Sequence, residues 1–127
     1  MHSAGKGRAG EQYAARILEK AGMCILASNF RSPAGEVDLV AQDRDTLVFV
    51  EVKSWNSRGI ADLEYGIDAE KQRRIIETAK YFLAGHRKYN EMAIRFDVVF
   101  IGRPPQSSPK TAPPVIRHLA SAFMECV

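Results

Sequence analysis

The stretch Leu47-Val48-Phe49-Val50-Glu51-Val52-Lys53 constrains the fold more than any other part of the chain. Side chains on a strand alternate between faces. Leu47, Phe49, Glu51 and Lys53 therefore share one face, and Val48, Val50 and Val52 share the other. Both faces are apolar at the start of the run, which is the pattern of a central strand covered on both sides. Such a strand needs one layer above it and one below. The charges at 51 and 53 mark where it leaves the core.

Flanking signals supply the layers. Tyr13, Ala14, Ile17, Leu18 and Ala21 form an apolar stripe at helical spacing, which predicts a helix over 9–22 with Gly22 as its stop. A strand follows over 23–31, a turn at Ser32-Pro33-Ala34-Gly35, and a second strand over 36–42. After the central strand, 56–66 reads as a mobile loop. A second helix starts near Asp68, with Ile75, Ile76, Ala79, Phe82 and Leu83 as its core stripe. Residues 93–101 alternate as a strand, 103–114 hold five of the six prolines and read as an irregular loop, and 115–127 read as a short strand followed by a helical tail. The order α-β-β-β-α-β predicts an α/β fold with a central mixed β-sheet flanked by helices, in one domain over 1–127.

Cys24 and Cys126 form no CxxC, and the three histidines lack ligand spacing, so a thiolate zinc site and a disulfide framework are not expected. Cys24 reads as a small core residue. No long apolar run or signal-peptide core is present, which predicts a cytoplasmic chain without a membrane partner. A net charge of +3 allows a polyanionic partner without demanding one.

The chemistry centres on Asp38, within Gly35-Glu36-Val37-Asp38-Leu39-Val40, and on Glu51 and Lys53 thirteen and fifteen positions later (51 − 38 and 53 − 38). Phosphodiester hydrolysis needs an activated water and neutralised phosphoryl oxygens. Two carboxylates holding a hard divalent ion beside a lysine meet that need. The Val52 carbonyl is a further oxygen donor. The same residues also fit a solvated strand end carrying a Glu51–Lys53 surface ion pair.

Glu11 lies at the border of the helical stripe, where it can lean into a cleft between helix and sheet or simply favour the helix dipole. Glu36 shares the Asp38 face, as a supporting group or as solvated cover. Lys71 and Gln72 open the second helix, where groups suit phosphate contacts, although for Lys71 alone a polar first turn is the preferred reading, and Gln72 falls on the buried side. Gly5-Lys6-Gly7-Arg8-Ala9-Gly10 matches GxGxxG without the strand that should precede it. Terminal disorder is the preferred reading there, ahead of a basic arm placing Lys6 and Arg8 near phosphates. Arg31 suits either a nucleic-acid backbone or its own turn. Asp97, alone among apolar strand neighbours, reads as a structural hydrogen-bonding residue.

The segments 35–41 and Phe49-Val50-Glu51-Val52-Lys53 resemble the PD-(D/E)xK nuclease signature. With Gly10-Glu11, Leu26-Ala27-Ser28-Asn29-Phe30-Arg31, Lys71-Gln72-Arg73-Arg74-Ile75, Arg95-Phe96-Asp97-Val98-Val99, His118-Leu119 and Ala122-Phe123, the chain resembles the bacterial YraN-like family of predicted endonucleases over nearly its whole length. That family is similar to archaeal Holliday-junction resolvases.

The resemblance implies a restriction-endonuclease-like fold and Mg²⁺- or Mn²⁺-dependent cleavage of DNA, leaving 5′-phosphate and 3′-hydroxyl ends. It implies that Asp38 and Glu51 bind metal, that Lys53 is the catalytic lysine, and that Glu11 is the acidic residue of the first helix. By analogy the substrate is branched DNA of recombination or repair, and a symmetric homodimer would present two sites to it. Trp55 departs from the family, where a basic residue is expected; a base could stack on it. A non-catalytic nucleic-acid-binding module on the same scaffold, and an RNA nuclease, are the alternatives.

Overall fold

The structure, a computed structural model, describes residues 4–55, 67–102, 104 and 107–124, with backbone alone for 4–8 and 55. The elements are α1 (Ala4–Lys20), β1 (Cys24–Ser32), β2 (Gly35–Asp43), β3 (Thr46–Trp55), α2 (Ala69–Gly85), β4 (Ala93–Gly102) and β5 (Val115–Phe123), with a single 3-10 turn at Arg87–Tyr89 before β4. The loop expected over 56–66 lies outside the described residues, as do the side chains of Lys6, Arg8 and Trp55.

One five-stranded sheet runs in the order β1-β2-β3-β4-β5. Its first three strands form an antiparallel meander. β3 and β4 are parallel, joined by the crossover that contains α2, and β5 returns antiparallel to β4. The two-sided pattern of the central strand is realised as read. Val48 and Val50 pack with Leu39, Ala41, Val99 and the α1 residues Ala14 and Leu18. Leu47 and Phe49 pack on the opposite face with Val40, Phe96 and the α2 residues Ile75, Ala79 and Phe82. Each helix therefore covers one face of the sheet. This α/β architecture is consistent with a restriction-endonuclease-like fold. Among the described residues, no helix is long and apolar enough to cross a membrane.

Gly22 ends α1 as its position suggested. At φ 99° it occupies the left-handed region, where its N–H donates to the Glu19 carbonyl while Met23 N–H reaches back to Leu18. That bond pair is a Schellman closure, which favours a residue without a Cβ.

Three expectations are corrected. The stretch 5–10 is helical rather than a disordered arm, because α1 starts at Ala4. Once Ala14 and Leu18 anchor a helix, each added turn costs little, which offsets the glycine penalty. Cys24 is exposed at the start of edge strand β1, and Met23 takes the core position beside it. The described part of the C-terminus holds no helical tail. β5 continues to Phe123, whose ring stacks on Phe96 at 5.1 Å, so pairing with β4 decides the conformation there.

Candidate functional site

The site is a fork in the sheet. β2 and β3 pair from Asp43–Thr46 as far as Leu39–Val50. Beyond that point a side chain takes over the ladder's role, and Asp38 Oδ2 accepts the Val52 N–H at 2.7 Å. On the other side of β2, Asn29 lies between the paired positions Ser28–Leu39 and Phe30–Val37, with φ 52°. Asparagine tolerates this left-handed conformation better than most residues. Asp38 is thus fixed at the crotch of two parting strands.

Glu51 lies on the α2 face of β3 and is 5% exposed. Its Oε2 meets the Lys71 ammonium at 2.5 Å. Lys71 stands in the first turn of α2, where Asp68 caps the helix by accepting the Lys71 N–H at 2.8 Å. Burial pushes the Asp38 carboxyl up to about 6. The Val52 N–H and a hydrogen bond with Glu51 oppose this, and the charge of nearby Glu11 adds to it. Burial, then the Asp38 charge, push Glu51 up to about 7 against the pull of Lys71. Burial lowers the Lys71 ammonium, but the bond to Glu51 and the charges of Glu51 and Asp38 outweigh it and hold Lys71 above its ordinary value. Burial and neighbouring negative charge thus raise both carboxyls, while Lys71 stays charged.

Glu11 approaches from α1, on the other face of the sheet. Its Oε1 is buried without a hydrogen-bond partner among the described residues, which is costly unless something completes it. Lys53, half-buried, follows Glu51 by two residues and lies beside Phe100 of β4.

Asp38, Glu51, Glu11 and the Val52 carbonyl offer hard oxygen donors only, the set that suits Mg²⁺ or Mn²⁺. Among the described residues, no three His, Cys, Asp or Glu side chains already stand grouped as a metal site. Mg²⁺ does not demand such a cage. It keeps several waters and is commonly held by one or two carboxylates together with substrate phosphate. The orphaned Glu11 oxygen and the raised Asp38 and Glu51 carboxyls fit a hard divalent cation.

The remaining expected residues are placed elsewhere. Glu36 pairs with the largely exposed Arg31 at 2.8 Å across the β1–β2 hairpin. Gln72 donates its amide to the Ile67 carbonyl at 3.0 Å and braces the entry into α2. Lys71, read as a polar first-turn residue or a phosphate contact, is the counter-ion of Glu51. Only the crossover geometry brings it there, because a helix that follows a parallel strand begins at the end where that strand finishes.

A second polar cluster was foreseen only at its centre. Buried Asp97 binds Arg95 at 2.9 and 3.0 Å, His118 Nε2 at 2.7 Å and the Ser121 N–H at 2.9 Å. Arg95 also reaches Asp43 at 3.3 Å. The structural role read for Asp97 is what the structure shows.

Residues 10–101 match the model of a family described as uncharacterised protein family UPF0102. A UPF0102 protein of Treponema pallidum is 46% identical over 122 residues, covering 95% of this chain and 94% of that protein. One from Treponema denticola is 41% identical over 128 residues, covering 94% and 95%. One from Persephonella marina is 43% identical over 96 residues, covering 76% and 82%.

Proposed function

The chain belongs to the uncharacterised protein family UPF0102, and from that premise we propose that it is a divalent-metal-dependent DNA endonuclease of the PD-(D/E)xK type. The observation that carries this reading is the meeting of Asp38 and Glu51 at one fork, raised to about 6 and 7, with Glu11 near Asp38. Burying like charges together is costly. A fold that does so, with a lysine beside them, suits cation binding better than stability.

Asp38 and Glu51 would hold the ion, with Glu11 and the Val52 carbonyl as further donors. When bound, the ion supplies Lewis acidity and lowers the pKa of water. Asp38 is already oriented by the Val52 N–H, which limits the reorganisation that binding an ion would require. Lys53, on the strand just past Glu51, orients the attacking water and offsets negative charge growing on the phosphoryl oxygens. Water gives up a proton as it adds to phosphorus opposite the 3′ oxygen, and the P–O3′ bond breaks as that oxygen takes a proton from solvent, leaving a 5′-phosphate and a 3′-hydroxyl. Branched DNA is the substrate class this reading favours, in the cytoplasm and with a second copy supplying the second cut.

The test is cleavage of a labelled panel (four-way junction, flap, single strand, duplex and RNA) with Mg²⁺, Mn²⁺ or EDTA. Wild type is compared with Glu51→Ala and Lys53→Ala. Cutting by wild type in Mg²⁺, abolished in EDTA and reduced about a thousandfold in each variant, is the expected result. Wild type that binds the panel but cuts no member would replace the enzyme with a non-catalytic binding module.

A further inference from the structure

We infer that Lys71 is a stand-in for the metal ion: it neutralises Glu51 while the site is empty, and the arriving cation expels it toward the substrate phosphate. This rests on the metal-dependent reading above. Nothing in the nuclease signature asks for a lysine at this position. The structure nevertheless gives Glu51, one of the two expected metal ligands, an ammonium at 2.5 Å from its Oε2.

Three features make this contact a displaceable one. Glu51 is almost fully buried, whereas the Lys71 side chain is 41% exposed, so solvent reaches the lysine and the carboxylate does not move with it. The backbone beneath Lys71 is held by the Asp68 cap and by Gln72 on the Ile67 carbonyl. Motion is therefore confined to the four-methylene side chain, which swings without disturbing α2. A divalent ion bound to Glu51 and Asp38 repels an ammonium within hydrogen-bond distance of the same carboxylate. Loss of its Glu51 partner leaves Lys71 charged at the solvent side of the site, in the first turn of a helix, where a phosphate is the anion best placed to receive it.

The arrangement makes metal and lysine competitors for one carboxylate, and metal and phosphate partners through the same lysine. Removing the competitor should tighten the metal. A lysine with a purely structural role could not have that effect, since its loss would leave the site looser or unchanged.

The experiment is calorimetric titration of the intact protein with Mn²⁺ alone, comparing wild type, Lys71→Met and Lys71→Arg, with melting curves in EDTA and in Mn²⁺. Lys71→Met should bind Mn²⁺ about tenfold tighter than wild type, a coupling of ordinary size between ligands that exclude one another. Lys71→Arg, which keeps the cation, should remain near wild type. If Lys71→Met is unfolded in EDTA, Lys71→Gln takes its place.

In a second arm, each protein binds labelled duplex in EDTA or in Ca²⁺. Lys71→Met should lose affinity in Ca²⁺ by about threefold, the scale of one phosphate contact, and not in EDTA. Mn²⁺ affinity equal to or weaker than wild type in Lys71→Met would overturn the displacement and leave the nuclease reading standing. An equal loss of duplex affinity in EDTA and Ca²⁺ would overturn the release toward phosphate. No saturable Mn²⁺ binding by wild type would overturn both this inference and the metal-dependent reading beneath it.

Discussion

At Asp38 one residue does two things that oppose each other. Its carboxylate completes the ladder by accepting the Val52 N–H, and its half-buried charge sits beside Glu51 and Glu11. Asn would keep the acceptor and remove the charge. Asp38→Asn should therefore stabilise the metal-free protein at pH 8 by about 1 kcal/mol while abolishing Mn²⁺ binding. Urea denaturation and calorimetry on the same samples test both halves; a destabilised variant at pH 8 would show that the charge is not a burden there. The pH dependence follows from the raised values. A carboxyl that holds its proton more tightly when folded costs nothing below its unfolded value and imposes its full penalty above its folded one. For Asp38 the window runs from 3.8 to about 6, and for Glu51 from 4.5 to about 7. The contribution of this cluster to stability should fall as pH rises across that range in EDTA. Mn²⁺ at saturating concentration should flatten the fall, and a decline of equal depth with and without the ion would argue against metal at these carboxylates.

At the scale of elements, β4 and β5 repeat the device seen at the fork. The register of the pair shifts between Phe96 and Val98, Ser121 opposite takes φ 53°, and the Asp97 carboxylate fills the gap by accepting the Ser121 N–H. Here the charge is answered. Burial raises Asp97, but His118, Arg95 and the Ser121 N–H outweigh it and hold it below the usual carboxylate range. Its contribution is therefore fully present above pH 3.8 and is lost as pH falls through the lower folded value. Asp97→Ala leaves His118 and the Ser121 N–H without this partner and Arg95 with Asp43 alone, and should cost about 3 kcal/mol at pH 7. Amide exchange should then speed up first along β5; exchange in β5 no faster than in β3 would count against the bulge as the strand's anchor.

Much of this level was legible in the chain. The two-sided apolar run Leu47–Val50, the helical stripe through Ala14 and Leu18, and Gly22 each state a local rule that the fold obeys. Asp38 and Glu51 were legible for the same reason, since both lie on adjoining strands of a meander. What depended on distant pairing was not. The sequence does not say that β5 extends to Phe123 along β4, that an edge position exposes Cys24, or that Lys71 meets Glu51 across a crossover.

Over the whole molecule, the sheet is the shared wall of two cores, and the site draws on both sides of it: Glu11 from the α1 layer, Lys71 from the α2 layer, Asp38 and Glu51 from the strands between. Neither layer can melt without exposing β3. Unfolding in urea should thus be a single transition, coincident by near- and far-ultraviolet circular dichroism. Mn²⁺ at about a hundred times its Kd should shift the whole curve by ~2.7 kcal/mol. Separate transitions for the two signals would show that one helix layer comes away on its own. The position of Lys71 along the chain also has a consequence for synthesis. A ribosome makes this protein from its N-terminus, so Glu11, Asp38 and Glu51 are complete before Lys71 is translated. The nascent meander therefore brings Asp38 and Glu51 together before the lysine that pairs with Glu51 exists. On the metal-dependent reading proposed above, a divalent ion could occupy these carboxylates before α2 is made, which would make it an aid to folding as well as to the proposed cleavage.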